Sequence, residues 1–387
     1  MTYSRLKKIF SPPTNLFRRS GFFIFLLLIL SVGLSISSIF FFPRFSVDVG
    51  DSTKYDYLAT QILEHHNYPS IEGELYAPGY PLFLASIYST LGADTENIII
   101  IHSITLFFLS VIIFFAGQTF FQLTRSQALF PAAVIFAWPY FILYSNLVMS
   151  EILFTTLLML AVVLYAWWQK QREKRLAIWS GAVFGLATLV RPVALLLPVW
   201  LVGGTIAYDL IKHKKNTISK TQIALFLFTF LFILLPWSIF SSVQNQQFTP
   251  VASNLPDLFN KGNITIPLDS LPENGSFLTK KIKDFFWFWN PGASGYQSST
   301  VTDRFPLADT LIIFYKIGFF ALLFLAFLAL KTKNKNIFFA WFVILYFWSV
   351  HTVLFPYPRY TLPIMPIIFL LATYTVFSLY KKYERKT

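Results

Sequence analysis

The stretch "GDSTKYDYLATQIL", Gly50 to Leu63, begins only seven residues after the apolar run "SSIFFF", Ser37 to Phe42. A chain that has just crossed a bilayer commonly turns back through a short loop; this one opens an amphipathic helix instead. Tyr55, Leu58, Ala59, Ile62 and Leu63 recur at helical spacing, and Ser52, Thr53, Lys54, Asp56, Thr60, Gln61 and Glu64 fill the opposite face. The pattern predicts a helix lying along a membrane surface. Asp51 stands at its start, where a helix cap and a functional carboxylate are equally good readings.

The rest of the chain supports the membrane setting. Of its 387 residues 55% are hydrophobic and 45 are Phe, and the mean hydropathy is +0.58, which excludes an ordinary soluble domain. Apolar runs of roughly 20 residues recur, each long enough to cross a hydrocarbon core of about 30 Å as a helix. The alternating segments of a membrane barrel are missing from the pattern. About ten spans are predicted: Gly21 to Phe42, Asn97 to Gly117, Gln127 to Leu147, Glu151 to Trp168, Leu176 to Val190, Pro192 to Asp209, Gln222 to Val243, Leu307 to Leu330, Ile337 to Phe355 and Tyr360 to Tyr380. Arg191 and Pro192 make the fifth and sixth either two short helices or one broken one.

Charge tests these spans independently. With a cytoplasmic N-terminus, alternation puts 21 of the 31 basic residues on the inner side, and only Glu173, Asp209 and Glu384 among the acids. Both termini are then cytoplasmic. The net charge of +13 reads as anchoring against anionic headgroups, with no nucleic-acid partner, because the basic residues sit in short topology-fixing loops. The absence of cysteine excludes disulfides and thiolate chemistry. The first span is too long for a signal-peptide core and is followed by Pro43 and Arg44, so it is expected to stay attached. The whole chain, residues 1 to 387, reads as one polytopic domain.

Two segments too long and polar for connectors, Pro43 to Glu96 and Gln244 to Pro306, fall on the outer side. In "YAPGYPLFLASIYSTLG", Tyr76 to Gly92, Pro78 and Gly79 suit the centre of a type II turn and Pro81 the first turn of a second short helix. Gly79 could alternatively let backbone approach a ligand phosphate, though the turn is favoured. Trp287 and Trp289 in "DFFWFWNPGASGYQ" read as interfacial anchors before sugar-stacking residues. Glu64, His65, His66, Glu72 and Glu74 could ligate a divalent ion, but a polar surface is the favoured reading. No cofactor requirement is visible.

A carboxylate at a helix centre costs on the order of 2.5 to 3.5 kcal/mol on insertion scales, so charges near the membrane ask for an explanation. Glu151 in "SNLVMSEILF", Arg191 in "GLATLVRPVALLLP" and Arg359 in "FPYPRYTLPIMP" all fall at the outer level of Asp51. Acids there can accept a proton or hold hydroxyl groups, and arginines can stabilise a departing phosphate. Equally, they can pair with one another to tie helix ends together. Lys316 and His102 fall inside spans and carry no assigned role.

The ordered set Asp51, Tyr55 and Ala59, then Pro78-Gly79-Tyr80-Pro81-Leu82, Ser150-Glu151, Gly185-Leu186-Ala187 with Arg191-Pro192, Pro236-Trp237, and Arg359-Tyr360 with Pro363 and Pro366 resembles the GT-C fold glycosyltransferases. It looks most like their bacterial branch related to protein O-mannosyltransferases and lipid A aminoarabinose transferase. The resemblance implies an all-α integral membrane bundle of about ten helices in the inner (cytoplasmic) membrane, with amphipathic surface helices in the first outer loop. It further implies a polyprenyl-phosphate sugar donor and a lipid, glycan or protein acceptor at the outer face, with inversion at the anomeric carbon. Asp51 occupies the position of the family's catalytic acid and Glu151 that of a second acid. Arg191 and Arg359 match its recurrent arginines, and Tyr55, Gly79, Tyr80 and Tyr360 its substrate-binding motif positions. Ala77 stands where many relatives have another Pro, "LEHHNYP" (Leu63 to Pro69) replaces a glycine-containing stretch, and no large C-terminal outer domain is expected.

A transporter or flippase of lipid-linked sugars is the alternative. Internal repeats and helices interrupted near the midplane, which transporters tend to show, are not evident. A polysaccharide polymerase or ligase would be expected to carry its large outer loop later in the chain.

Overall fold

The structure, a computed structural model, describes residues 14–41, 51–212, 219–252, 283–284, 286–289, 308–332, 334–354 and 358–384. Most of the second outer segment and the start of the first therefore lie outside the described residues. Among the described residues the chain is helical apart from one isolated antiparallel bridge, Ile71 to Glu74.

Helix α1 (Thr14–Phe41) is the first predicted span. The outer segment then supplies α2 (Asp51–His65) and α3 (Gly79–Leu91), which pack on each other. The apolar face of α2 is turned into protein: Leu58 and Ala59 are fully buried, and Leu58 joins Tyr68 and Leu75 in a small satellite core reached by Trp237. The hydroxyl of Tyr88 on α3 donates to Asp56 Oδ1 at 2.6 Å, pinning the two helices together.

Helix α4 (Thr95–Phe121) is about 40 Å long at 1.5 Å per residue. Helix α5 (Arg125–Ala137) opens on a reciprocal capping box between Thr124 and Gln127. It stops at Trp138 because Pro139 disfavours helical geometry in the residue before it, and Trp138 is extended (φ −80°, ψ 122°). Helix α6 (Pro139–Ser145) leaves at 54° to α5, so the predicted third span is a broken pair.

Helices α7 (Glu151–Gln171) and α8 (Lys174–Val190) follow. The same proline rule ends α8: Arg191 is extended (φ −142°, ψ 118°) before Pro192, a 3-10 turn spans Pro192–Ala194, and α9 (Leu197–Ile211) begins afresh. The fifth and sixth predicted spans are thus two helices. Helices α10 (Lys220–Asn245), α11 (Ala308–Leu328) and α12 (Lys335–Val353) come next, and a 3-10 segment, Pro358–Ile364, leads into α13 (Met365–Glu384). Every predicted span has a helix at its place. Among the described residues seven are long and apolar enough to cross a membrane by themselves, eight with the bent pair, where ten were expected. Helix α8, with 17 residues, is about 26 Å long and shorter than the hydrocarbon core.

The core lies around α4, α7 and α13, the last buried continuously from Met365 to Thr373 together with the 3-10 residues 361–364 that lead into it. Helix α10 lies along α8 at Gly181 and Gly185, where a Cβ would collide with Phe226, Thr229 and Ile233. Small residues four apart permit this backbone approach, the usual solution where lipid removes any hydrophobic drive between helices.

Gly79 serves a similar end, and here the predicted type II turn is corrected. Pro78 is in the right-handed helical region (φ −81°, ψ −18°), Gly79 has no positive φ, and α3 starts directly, with Leu82 N–H donating to Pro78 O at 2.9 Å. A Cβ on Gly79 would lie 2.7 Å from Val190 N and 2.8 Å from Leu189 C and O. The glycine is required by tertiary approach to the end of α8, not by turn geometry. Gly79→Ala is expected to destabilise the protein by about 1–3 kcal/mol through this overpacking, read as a lower thermal midpoint in nanodiscs. Gly203→Ala, where nothing lies within 4 Å of an added Cβ, should leave the midpoint unchanged or slightly raised.

Candidate active site

Glu151 is the first residue of α7 and its side chain is 2% exposed. A helix N-terminus favours a carboxylate, and Arg191, just past the C-terminus of α8, sits where a cation is favoured. The two meet with Arg191 Nη1 2.7 Å from Glu151 Oε1, and the same nitrogen lies 3.5 Å from Ser150 Oγ. Glu151 Oε2 is buried and accepts no hydrogen bond among the described residues.

A second pair lies beside the first. Arg359 Nη2 is 3.8 Å from Asp51 Oδ2, an ion pair too long for a direct hydrogen bond, and the Asp51 side chain is 41% exposed. Asp51 is the first residue of α2, and Arg359 belongs to the 3-10 segment before α13. Tyr360 joins the two pairs: its ring centroid is 5.2 Å from the Arg191 guanidinium and 5.0 Å from that of Arg359, and its hydroxyl accepts from Arg359 Nη2 at 3.2 Å. The Tyr360 ring also stacks on His351 of α12, centroids 4.3 Å apart and 15° from parallel. Phe288, from the second outer segment, lies 5.8 Å from His351 and nearly parallel to it.

Tyr55, one turn along α2 from Asp51, has its hydroxyl 3.5 Å from Ser150 Oγ and its ring edge-on to Tyr80 at 4.9 Å. Burial, reinforced by the Asp51 charge, pushes the Tyr55 hydroxyl well above the usual phenol range, so it stays protonated and able to donate. Tyr80 is fully buried, with its hydroxyl 3.2 Å from His102 Nε2, and His102 Nδ1 lies 3.3 Å from Ser145 O.

Asp51, Tyr55, Tyr80, Glu151, Arg191, Arg359 and Tyr360 therefore form one continuous contact network drawn from five separate parts of the chain. Gly79 enters it indirectly, through the two residues that precede Arg191. The sequence reading named His102 without a role, left out His351 and Phe288 as site residues, and quoted Ser150 only as the neighbour of Glu151. The available signal for the histidines was a polar ring inside an apolar span. For Phe288, one of 45 phenylalanines, there was none. Trp287 is 46% exposed, but Trp289 is buried against Trp348 and Phe319, an internal packing residue and not a surface anchor. Among the described residues no three His, Asp or Glu side chains gather as a metal would require. Glu72 pairs with Lys54 and Glu64 lies 4.0 Å from His65.

Chemically, the arrangement holds two carboxylates of different exposure beside two guanidiniums. It can accept a proton, hold hydroxyl groups and receive an anion within one small volume.

No protein-family model matches the sequence, and comparison with curated proteins finds no match. Among solved structures the chain is similar to ArnT from Cupriavidus metallidurans, in crystals bound to undecaprenyl phosphate and in the apo state. Each comparison has a TM-score of 0.64 at 13% identity, covering 92% of this chain and 60% of the other. The chain thus shares the fold of ArnT over most of its own length, and spans about three fifths of the length of that protein.

The buried pair makes a direct stability prediction. Arg191→Met leaves the Glu151 charge uncompensated and is expected to cost about 3–5 kcal/mol, whereas the double variant Arg191→Met/Glu151→Leu should recover most of that loss. Thermal midpoints of the three proteins in nanodiscs, combined as a double-mutant cycle, check it.

Proposed function

We propose that the chain is an integral-membrane glycosyltransferase that moves a sugar from a polyprenyl-phosphate donor to an acceptor hydroxyl at the outer face of the inner membrane. The observation that carries this reading is the convergence of Asp51 and Glu151 with Arg191 and Arg359 around the ring of Tyr360. The structural likeness to a protein crystallised with undecaprenyl phosphate supports the donor class. The positive-inside pattern supports the outer face.

In this reading the acceptor oxygen attacks the anomeric carbon as the bond from that carbon to the phosphate oxygen breaks, inverting the centre. Asp51, the more exposed acid, takes the acceptor proton as general base. The departing phosphate keeps the bonding electrons, and Arg359 and Arg191 stabilise its charge. Arg359 is the better placed to reach toward it, since its carboxylate partner is at 3.8 Å while that of Arg191 is at 2.7 Å. Glu151 holds Arg191 and offers Oε2 to a sugar or acceptor hydroxyl. The protonated Tyr55 hydroxyl is a further donor to the sugar, and Tyr360 keeps the two guanidiniums apart on one ring. The acceptor belongs to a lipid, a glycan or a protein.

The test uses purified protein in lipid nanodiscs with a panel of radiolabelled polyprenyl-phosphate sugars, measuring free polyprenyl phosphate with and without candidate acceptors. Release by the wild type supports transfer; binding without release across the panel would move the assignment to a transporter. Asp51→Asn should remain inserted and folded while turnover falls by about 10²- to 10⁴-fold. Arg359→Ala should lose about 2.7–4 kcal/mol of transition-state stabilisation, seen as a fall in the release rate at saturating donor.

A further inference from the structure

A second region with ligand-binding character lies at the opposite end of the bundle. Glu151 and Lys170 stand at the two ends of α7, about 28 Å apart along the helix, and Lys335 and His351 at the two ends of α12. Between α4, α7, α9, α12 and α13, at the end marked by Lys170 and Lys335, there is a cavity of about 340 Å³. Its wall follows α7 from Met159 to Lys170, about 16 Å of helix, and runs along α4 and α12 for comparable lengths. It is a slot that extends along the helices. Ile113, Met159, Val163, Phe339 and Leu370 make its depth apolar.

The end marked by Lys170 and Lys335 is polar and cationic. Lys170 and Lys335 line it, and Arg172 lies close enough to Asp209 and Tyr165 to interact with both electrostatically. Asp209 Oδ1 is 3.9 Å from Lys335 Nζ, and Lys170 Nζ donates to Thr119 O at 3.4 Å, leaving both lysines near the mouth. Just beyond the lining, the buried Arg172 Nη1 has no hydrogen-bond partner among the described residues, and within it the acceptor Gln169 Oε1 has none. A buried guanidinium nitrogen without an acceptor is costly unless something supplies one. An apolar slot ending in excess positive charge and an unanswered donor matches an amphiphile with an anionic head.

We propose that this slot is a binding site for an anionic phospholipid, one acyl chain lying between α4, α7 and α12 and the phosphate resting against Lys170 and Lys335, with Arg172 adding positive charge nearby. The site is separate from the cluster around Tyr360 and does not depend on the proposed sugar transfer. Charge complementarity selects the occupant: a zwitterionic lipid offers the same chain but brings its own cation to the lysines.

The experiment is native mass spectrometry of the full chain released from detergent after titration with phosphatidylglycerol or phosphatidylcholine of matched chains, with glycerol phosphate as the headgroup-only probe. Phosphatidylglycerol should be retained about tenfold better than phosphatidylcholine, the scale of one or two lysine–phosphate contacts. Glycerol phosphate should not be retained. Lys170→Glu, at an exposed position where folding is not at stake, should remove the preference. Ala166→Trp, which fills the slot, should lower retention of both lipids by a similar factor. Equal retention of the two lipids by the wild type would overturn the proposal, as would unchanged preference in Lys170→Glu. So would retention of glycerol phosphate as strong as that of the lipid.

Discussion

A carboxylate buried at the end of a helical bundle is tolerable only if a cation meets it there, and the Glu151–Arg191 pair sets the terms for everything around it. Desolvating both ions costs several kcal/mol each, and good geometry is what offsets it. For Arg191 to reach Glu151, α8 has to stop one residue earlier, and Pro192 enforces the stop by holding Arg191 extended. For the pair to stay enclosed, α3 has to close on the end of α8, which only the missing side chain of Gly79 allows. The two-glycine contact of α8 with α10 then fixes the direction from which Arg191 arrives.

The second constraint is aromatic. Two guanidiniums at one ring would repel one another in an apolar setting, yet Tyr360 holds both through its π face while a carboxylate answers each. Beneath it, His351 and Phe288 continue a stack that ties α12 and the second outer segment to the same point. The arginines thus owe their positions to residues far apart in the chain, joined through planar groups that transmit displacement with little give.

Much of this was legible beforehand, for identifiable reasons. Hydropathy locates a helix in a membrane chain because the backbone has few other ways to satisfy its polar groups there, and each predicted span has a helix at its place, though seven or eight rather than ten are long and apolar enough to cross among the described residues. Asp51, Glu151, Arg191 and Arg359 stood out because charge is scarce in such a chain. The bend at Trp138 was hidden because Pro139 interrupts the backbone without interrupting the apolar run. Gly79 was misjudged because Pro-Gly is a strong local turn signal, and the contact that requires the glycine lies more than a hundred residues away. Phe288 was invisible as a site neighbour for the same reason, and the polar ring of His351 in an apolar span did not say what it would stack against. Their place depends on tertiary stacking, which composition and periodicity do not encode.

The charge count at the outer cluster bears on how a ligand would be found. Asp51 and Glu151 cancel Arg191 and Arg359, so these four side chains carry no formal net charge and project little field beyond a screening length of about 8–10 Å. Long-range electrostatic steering is therefore weak. On the proposed reading, a phosphate-bearing lipid would reach the cluster by lateral encounter within the bilayer, and capture would be nearly indifferent to ionic strength. The guanidiniums would act only at contact, on a partner that two-dimensional diffusion has delivered.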